Sequence, residues 1–136
     1  MVWNVKFYPD FAEEFTTLNI AVQETLNRRI DNLRIERPHL GRPYADTLQG
    51  SRHANMKELR LKADGGVWRF AFAFDPEQKA IILCGGDKSG LKNQSKFYRA
   101  LIEKADGRFE EHLEKMQSAK DASKQFSRKK GRGRKK

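Results

Sequence analysis

The chain has 136 residues, 38% of them apolar and 34% charged, which suits one domain with a modest core and excludes two full-sized domains. Lysine and arginine number 28 against 18 aspartate and glutamate, and the net charge of +10 points toward polyanions. The single cysteine, Cys84, excludes an intrachain disulfide framework and a cysteine-rich zinc site and fits a reducing cytoplasm.

Val2 to Tyr8 alternates, with Trp3, Val5 and Phe7 on one side, and predicts a first strand ended by Pro9-Asp10 rather than a signal segment. Asp10 is expected to cap a short helix carrying Phe11, Phe15 and Leu18. Asn19 is expected to cap a second helix that runs to about Glu36 with the stripe Val22, Leu26, Ile30 and Leu33, and Arg37-Pro38 stops it. The two helices form a hairpin. Pro38 to Arg52, with Gly41, Pro43 and Gly50, reads as a loop.

Three strands follow at about Ala54 to Lys62, Val67 to Asp75 and Ala80 to Gly85. Their turns, Ala63-Asp-Gly-Gly66 and Asp75 to Lys79, are short enough for antiparallel hairpins. No apolar run exceeds the length of Ala80 to Cys84, far too short to cross a bilayer. Gly85 to Gly90 reads as irregular. A helix through Phe97, Leu101, Ala105, Phe109, Leu113 and Met116 closes the body, and Gly107 is expected to bend or split it. This order predicts an α+β domain over residues 1–117, an N-terminal strand and helical hairpin packed on an antiparallel sheet. Ser118 to Lys136 holds nine Lys/Arg and one acid, a charge of +8, which leaves +2 for residues 1–117. Residues 118–136 read as a basic tail, disordered in isolation.

Alternation assigns the sheet faces. Trp68, Phe70, Phe72 and Phe74 form an aromatic face that should pack on helices, whereas Arg69 lies beside Ala71 and Ala73 on the other. Leu59 and Leu61 oppose Glu58, Arg60 and Lys62 in the same way. Arg60, Lys62 and Arg69 are then expected on one open face, with Lys88 at its mouth and Lys92 and Lys96 nearby in sequence. Convergent cations suit a phosphodiester; the alternative is a solvated face on which Glu58 pairs with Arg60 or Arg69. His53, just before the second strand, is placed to act as a base or bind phosphate, or else is an exposed loop residue. Tyr98 can line the basic face, stacking on a base or exchanging a proton, or sit half-buried on its helix. His39, His53 and His112 make no metal motif. His112 reads as surface, and Cys84 as a small core residue. Gly85-Gly86 before Lys88 lacks the spacing of a nucleotide-hydrolysing phosphate loop but can cradle one phosphate. Metal-free RNA cleavage would suit such a site, because the 2′-hydroxyl is an internal nucleophile and the protein need only position it, stabilise charge and move two protons.

Met56-Lys-Glu-Leu-Arg60, Trp68-Arg-Phe70, Phe74-Asp-Pro76 and Ile82-Leu-Cys-Gly-Gly-Asp-Lys-Ser-Gly90, with Lys96-Phe-Tyr98, Ala105-Asp106 and His112-Leu113, resemble the HigB-like, phage-derived branch of the RelE/ParE toxin superfamily. The resemblance spans about residues 3 to 116. It implies a RelE-like fold and the toxin of a type II toxin–antitoxin pair, a cytoplasmic endoribonuclease that cuts mRNA on the ribosome without a cofactor. The implied partners are a cognate helix-turn-helix antitoxin and, through the complex with it, operator DNA. Carried over by position, Arg60, Arg69 and Lys88 serve the scissile phosphate; the residues themselves add Tyr98 and His53 as weaker proton-transfer candidates and Lys57, Lys62, Lys92 and Lys96 as candidate RNA-binding cations. At Gly86-Asp87 the chain departs from the family's Gly-Phe and lysine pair, which removes an aromatic and adds negative charge. Two rivals stay open: a ParE-like toxin that binds DNA gyrase without cutting RNA, and a non-catalytic nucleic-acid binder working through its tail.

Overall fold

The computed structural model describes residues 4–36, 41 and 44–134. The expected start of the first strand at Val2 and Trp3, the helix stop at Arg37-Pro38 and His39 lie outside the described residues. The elements are β1 (Val5–Phe7), α1 (Pro9–Thr16), α2 (Ile20–Glu36), β2 (Ala45–Thr47), β3 (Met56–Ala63), β4 (Gly66–Phe74), β5 (Ala80–Asp87) and α3 (Gln94–Arg134). They make an α+β fold on one five-stranded sheet of order β1-β5-β4-β3-β2. Among the described strands only β1–β5 is a parallel pair.

Local chemistry explains most of the boundaries. Pro9 opens α1, with Tyr8 rather than Asp10 at the cap, and Asp10 sits in the first turn, where its charge suits the helix dipole. Asn19 caps α2 as expected, its Oδ1 accepting from the Ala21 N–H at 2.8 Å. The stripe Val22, Leu26, Ile30 and Leu33 is buried. Between β3 and β4 the turn is two residues, Asp64 and Gly65, both left-handed at φ 50° and 73°, the backbone that an Asp-Gly hairpin favours.

Helices cover both sheet faces. Phe70, on the aromatic face, packs edge-on against Phe11 of α1. On the other face α3 lies against β4 and β5, and Cys84, opposite Ala71, donates its thiol to the Leu101 carbonyl. That face is therefore not open along its length: Ala71 and Ala73 are fully buried, and their small size makes room for packing rather than access. An extra residue in β5, Leu83, stands between the partners of Ala71 and Phe72. Its carbonyl accepts from Arg108 at 2.7 Å, and Arg108 also grips both carboxylate oxygens of Glu14, tying α3 to α1.

Three expectations are corrected. The segment read as a loop contains β2, which pairs Ala45–Thr47 with Lys57–Leu59. Gly85, Gly86 and Asp87 belong to β5. Gly107 does not split α3, and an added Cβ there would meet nothing within 4 Å. The segment after Gln117 continues α3 to Arg134. Ser118 to Gln125 are exposed and touch no core, but alanine, lysine and glutamine favour helix, and a Gln117–Asp121 bond one turn apart supports it.

Candidate functional site

The site grows from one strand pairing. Arg60 stands directly opposite Arg69 across β3 and β4, with Glu58 two pairs further along, on the same face, opposite Ala71. Facing arginines repel unless a counter-charge intervenes. Glu58 supplies it: Oε1 lies 3.8 Å from Arg60 Nε and 3.7 Å from Arg69 Nε. Both distances are too long for hydrogen bonds. Glu58 Oε2 and Arg69 Nε have no hydrogen-bond partner among the described residues, although both side chains are buried. Arg69 is aimed by a 3.0 Å bond from Nη1 to the Trp68 carbonyl. Burial pushes the Glu58 carboxyl above the ordinary glutamate range, against the opposing pull of Arg69 and Arg60.

Two clefts meet at Arg60. One, of about 320 Å³, is lined by Arg29, Tyr44, Arg60, Leu61, Lys62 and Arg69. The other, of about 460 Å³, carries Glu58, Arg60, Gln94, Ser95 and Tyr98 in its wall. Lys88 reaches that side: its Nζ lies 5.5 Å from the Tyr98 ring centre and donates to Gln94 Oε1 at 3.2 Å. Arg60, Lys62, Arg69, Lys88 and Tyr98 are thus brought together, where the face of β3 and β4 emerges from beneath the start of α3.

Other candidates fall elsewhere. His53 sits edge-on to Phe109, its Nε2 3.4 Å from Glu110 Oε1, about three turns along α3 from Tyr98. Lys57 pairs with Phe72, on the sheet face opposite Arg60. Lys96 lies in the first turn of α3, on the other side of the helix from Tyr98, and Lys92 is exposed in the preceding segment. Neither Lys92 nor Lys96 lines either cleft. His112 is not simply surface, because its Nε2 is 2.9 Å from the buried Asp75 carboxylate. Cys84 is core, and burial pushes its thiol up to about 12.

The glycine pair is used in packing. A Cβ on Gly85 would overlap the Phe70 ring, and one on Gly86 would lie 3.0 Å from Phe97. Asp87 stands opposite Trp68, on the other face from Arg69. Its Oδ1 accepts from the Val67 N–H, the Ser89 N–H and the Ser89 hydroxyl, which hold its carboxyl below the usual range. Its charge is spent on the turn that sets Lys88, whose own N–H bonds the Val67 carbonyl.

Sequence reading missed three residues. Alternation places Glu58 beside Arg60, but nothing in the sequence separates it from a neutralising partner. Arg29 and Tyr44 carry no signal in sequence, since distant segments bring them together.

A profile of the phage-derived protein Gp49-like family (DUF891) matches residues 13–110. The chain belongs to this family. Among its Gp49-like relatives is a protein assigned as toxin HigB2 of Mycobacterium tuberculosis, 46% identical over 115 residues, 84% of this chain. The chain spans 55% of the length of that relative. A second from the same organism, assigned as toxin HigB3, is 42% identical over 105 residues, 77% of this chain and 89% of its own length. The fold is similar to that of a double-arginine mutant of the E. coli toxin RelE in the free state, with a TM-score of 0.56 at 15% identity over 76% of this chain and 97% of that one. The Gp49-like chain is thus HigB-like in sequence and RelE-like in fold, and no described helix is long and apolar enough to cross a membrane.

Proposed function

We propose that this chain is the toxin of a type II toxin–antitoxin pair and that it cuts mRNA on the ribosome. Residues 1–117 would form the toxin body, with the basic segment 118–136 an appendage to it. A helix-turn-helix antitoxin would restrain it in the cytoplasm and carry the complex to operator DNA. The observation that carries the nuclease reading is Glu58, a buried, under-bonded carboxylate between Arg60 and Arg69.

The chemistry balances with these groups. The Glu58 carboxylate takes the proton of the 2′-hydroxyl, and the freed oxygen attacks phosphorus. Arg60 and Arg69 hold the phosphate and neutralise the charge that develops on it. As the bond from phosphorus to the 5′-oxygen breaks, the Tyr98 hydroxyl or the Lys88 ammonium returns a proton to the leaving oxygen. The products are a 2′,3′-cyclic phosphate and a 5′-hydroxyl end. Raising the Glu58 carboxyl makes it a stronger base than an exposed glutamate, while the neighbouring guanidiniums favour its ionised form.

The test is brief induction in a bacterial host with mapping of RNA 5′ ends. New 5′-hydroxyl ends in phase with codons are expected, together with relief of growth arrest by the Arg60→Ala, Arg69→Ala double variant. Full toxicity of that variant would overturn the reading. Gyrase-dependent DNA breaks with intact message would replace it by a gyrase-binding toxin.

A further inference from the structure

The first cleft holds more than a phosphate needs. Arg60, Arg69 and Lys62 line it, and no carboxylate does so among the described residues. Its remaining wall is flat and aromatic. The Arg29 guanidinium, from α2, lies over the Tyr44 ring at 4.1 Å from its centre. Such stacking costs no partner from elsewhere: Arg29 Nε is buried with no hydrogen-bond partner among the described residues. Tyr44 is 39% exposed. Its backbone is nevertheless fastened, the N–H to the Gly41 carbonyl at 3.0 Å and the carbonyl to the Arg60 N–H at 2.7 Å. One bond therefore couples the ring's position to Arg60.

We propose that the Arg29–Tyr44 pair is a nucleobase platform, which stacks the base of a nucleotide neighbouring the phosphate held by Arg60 and Arg69. It rests on the RNA reading above. Single-stranded RNA is recognised largely by stacking of unpaired bases on aromatic rings and guanidinium planes, and both kinds of plane stand here beside the cations. Leu61 adds apolar surface to the same cleft. The platform explains why the cations are not spread evenly over the sheet face but adjoin one exposed ring. It also gives the site a way to hold RNA that does not depend on charge alone.

The test uses the full chain and two 2′-O-methyl RNA oligomers, one intact and one carrying abasic positions, with Kd read by fluorescence anisotropy. Methylation of the 2′-oxygen removes the nucleophile, so binding is read without cleavage. Tyr44→Ala should weaken binding of the intact oligomer by roughly ten- to a hundredfold, the usual worth of one stacked base. It should leave the abasic oligomer unchanged, and Tyr44→Phe should bind as the wild type does. Arg29→Gln should show the same selectivity for the intact oligomer. Equal affinities of wild type and Tyr44→Ala for the intact oligomer would overturn the platform, as would failure of the wild-type chain to bind it. The Arg60→Ala, Arg69→Ala double variant separates the two ideas. If it loses both oligomers while Tyr44→Ala loses neither, the phosphate site stands and only the platform falls. If it binds both like the wild type, the phosphate reading itself fails.

Discussion

Two buried carboxylates on the α3 side of the sheet are wired in opposite ways. Asp106 is 3% exposed and both its oxygens are occupied: Oδ1 accepts from the Ser51 hydroxyl at 2.5 Å, and Oδ2 from the Arg52 N–H at 3.0 Å. Glu58 is 6% exposed, yet its Oε2 has no hydrogen-bond partner among the described residues and its Oε1 makes only long ion pairs. Asp106 pins the segment before β3 to α3. Glu58 keeps lone pairs in reserve beside two cations and a cleft. An under-bonded buried carboxylate costs about 1–3 kcal/mol of folding free energy, and that cost is typically tolerated where a group must do chemistry. Burial alone does not separate these two acids; the donors around them do.

The sharpest separation is expected from Glu58→Gln, which keeps the shape and removes the base. Cleavage should fall by roughly 10²–10³, as for loss of a positioned acid–base group, with no loss of folded protein by circular dichroism. The wild-type rate should rise with pH along a limb above the usual glutamate range, and the variant should lack that limb. Stability runs the other way. A raised carboxyl pKa means that the native state favours the acid form, so this group's contribution is fullest at low pH and is lost as pH climbs through the raised value. A wild-type rate limb at the ordinary glutamate value would place the base elsewhere.

Asp106→Asn should do the reverse. The amide that replaces one oxygen faces donors, so stability should fall by about 1–3 kcal/mol, read as a lower denaturant midpoint, while the activity per folded molecule stays unchanged. One residue further on, Gly107→Ala should raise stability by about 0.5–1 kcal/mol, because the position is exposed mid-helix with open space for a Cβ. The smallest effect is expected at His53. With its ring against Phe109 and Glu110, His53→Gln should leave the cleavage rate where it is, and a large drop would bring the far end of α3 into the site.

Much of this was legible before the fold was known, and for local reasons. The period-two pattern of Val67 to Phe74 placed Arg69 opposite the aromatic row. The same pattern in Met56 to Lys62 placed Arg60 and Lys62 with it, because successive side chains of a strand must alternate. Asp64-Gly65 named its own turn. The buried row of α2 is a 3.6-residue repeat, and Asn19 carries its cap. These features need only neighbours in sequence.

What stayed hidden depends on partners far along the chain. β2 has three residues, Ala45–Thr47, and owes its conformation to pairing with β3 rather than to propensity. Gly85 and Gly86 look like loop residues until Phe70 and Phe97 are seen to occupy the space of their missing side chains. The roles of Asp87, Arg29 and Tyr44 follow from contacts across the sheet edge and the β4–β5 ladder. The sequence by itself determined the larger elements, the two faces of the central strands and the arginine pair on one of them. Only the tertiary structure decided how much of that face α3 would cover. A strand's alternation specifies which side a residue faces, whereas burial depends on what packs above it, and that left Glu58 short of donors beside an open cleft.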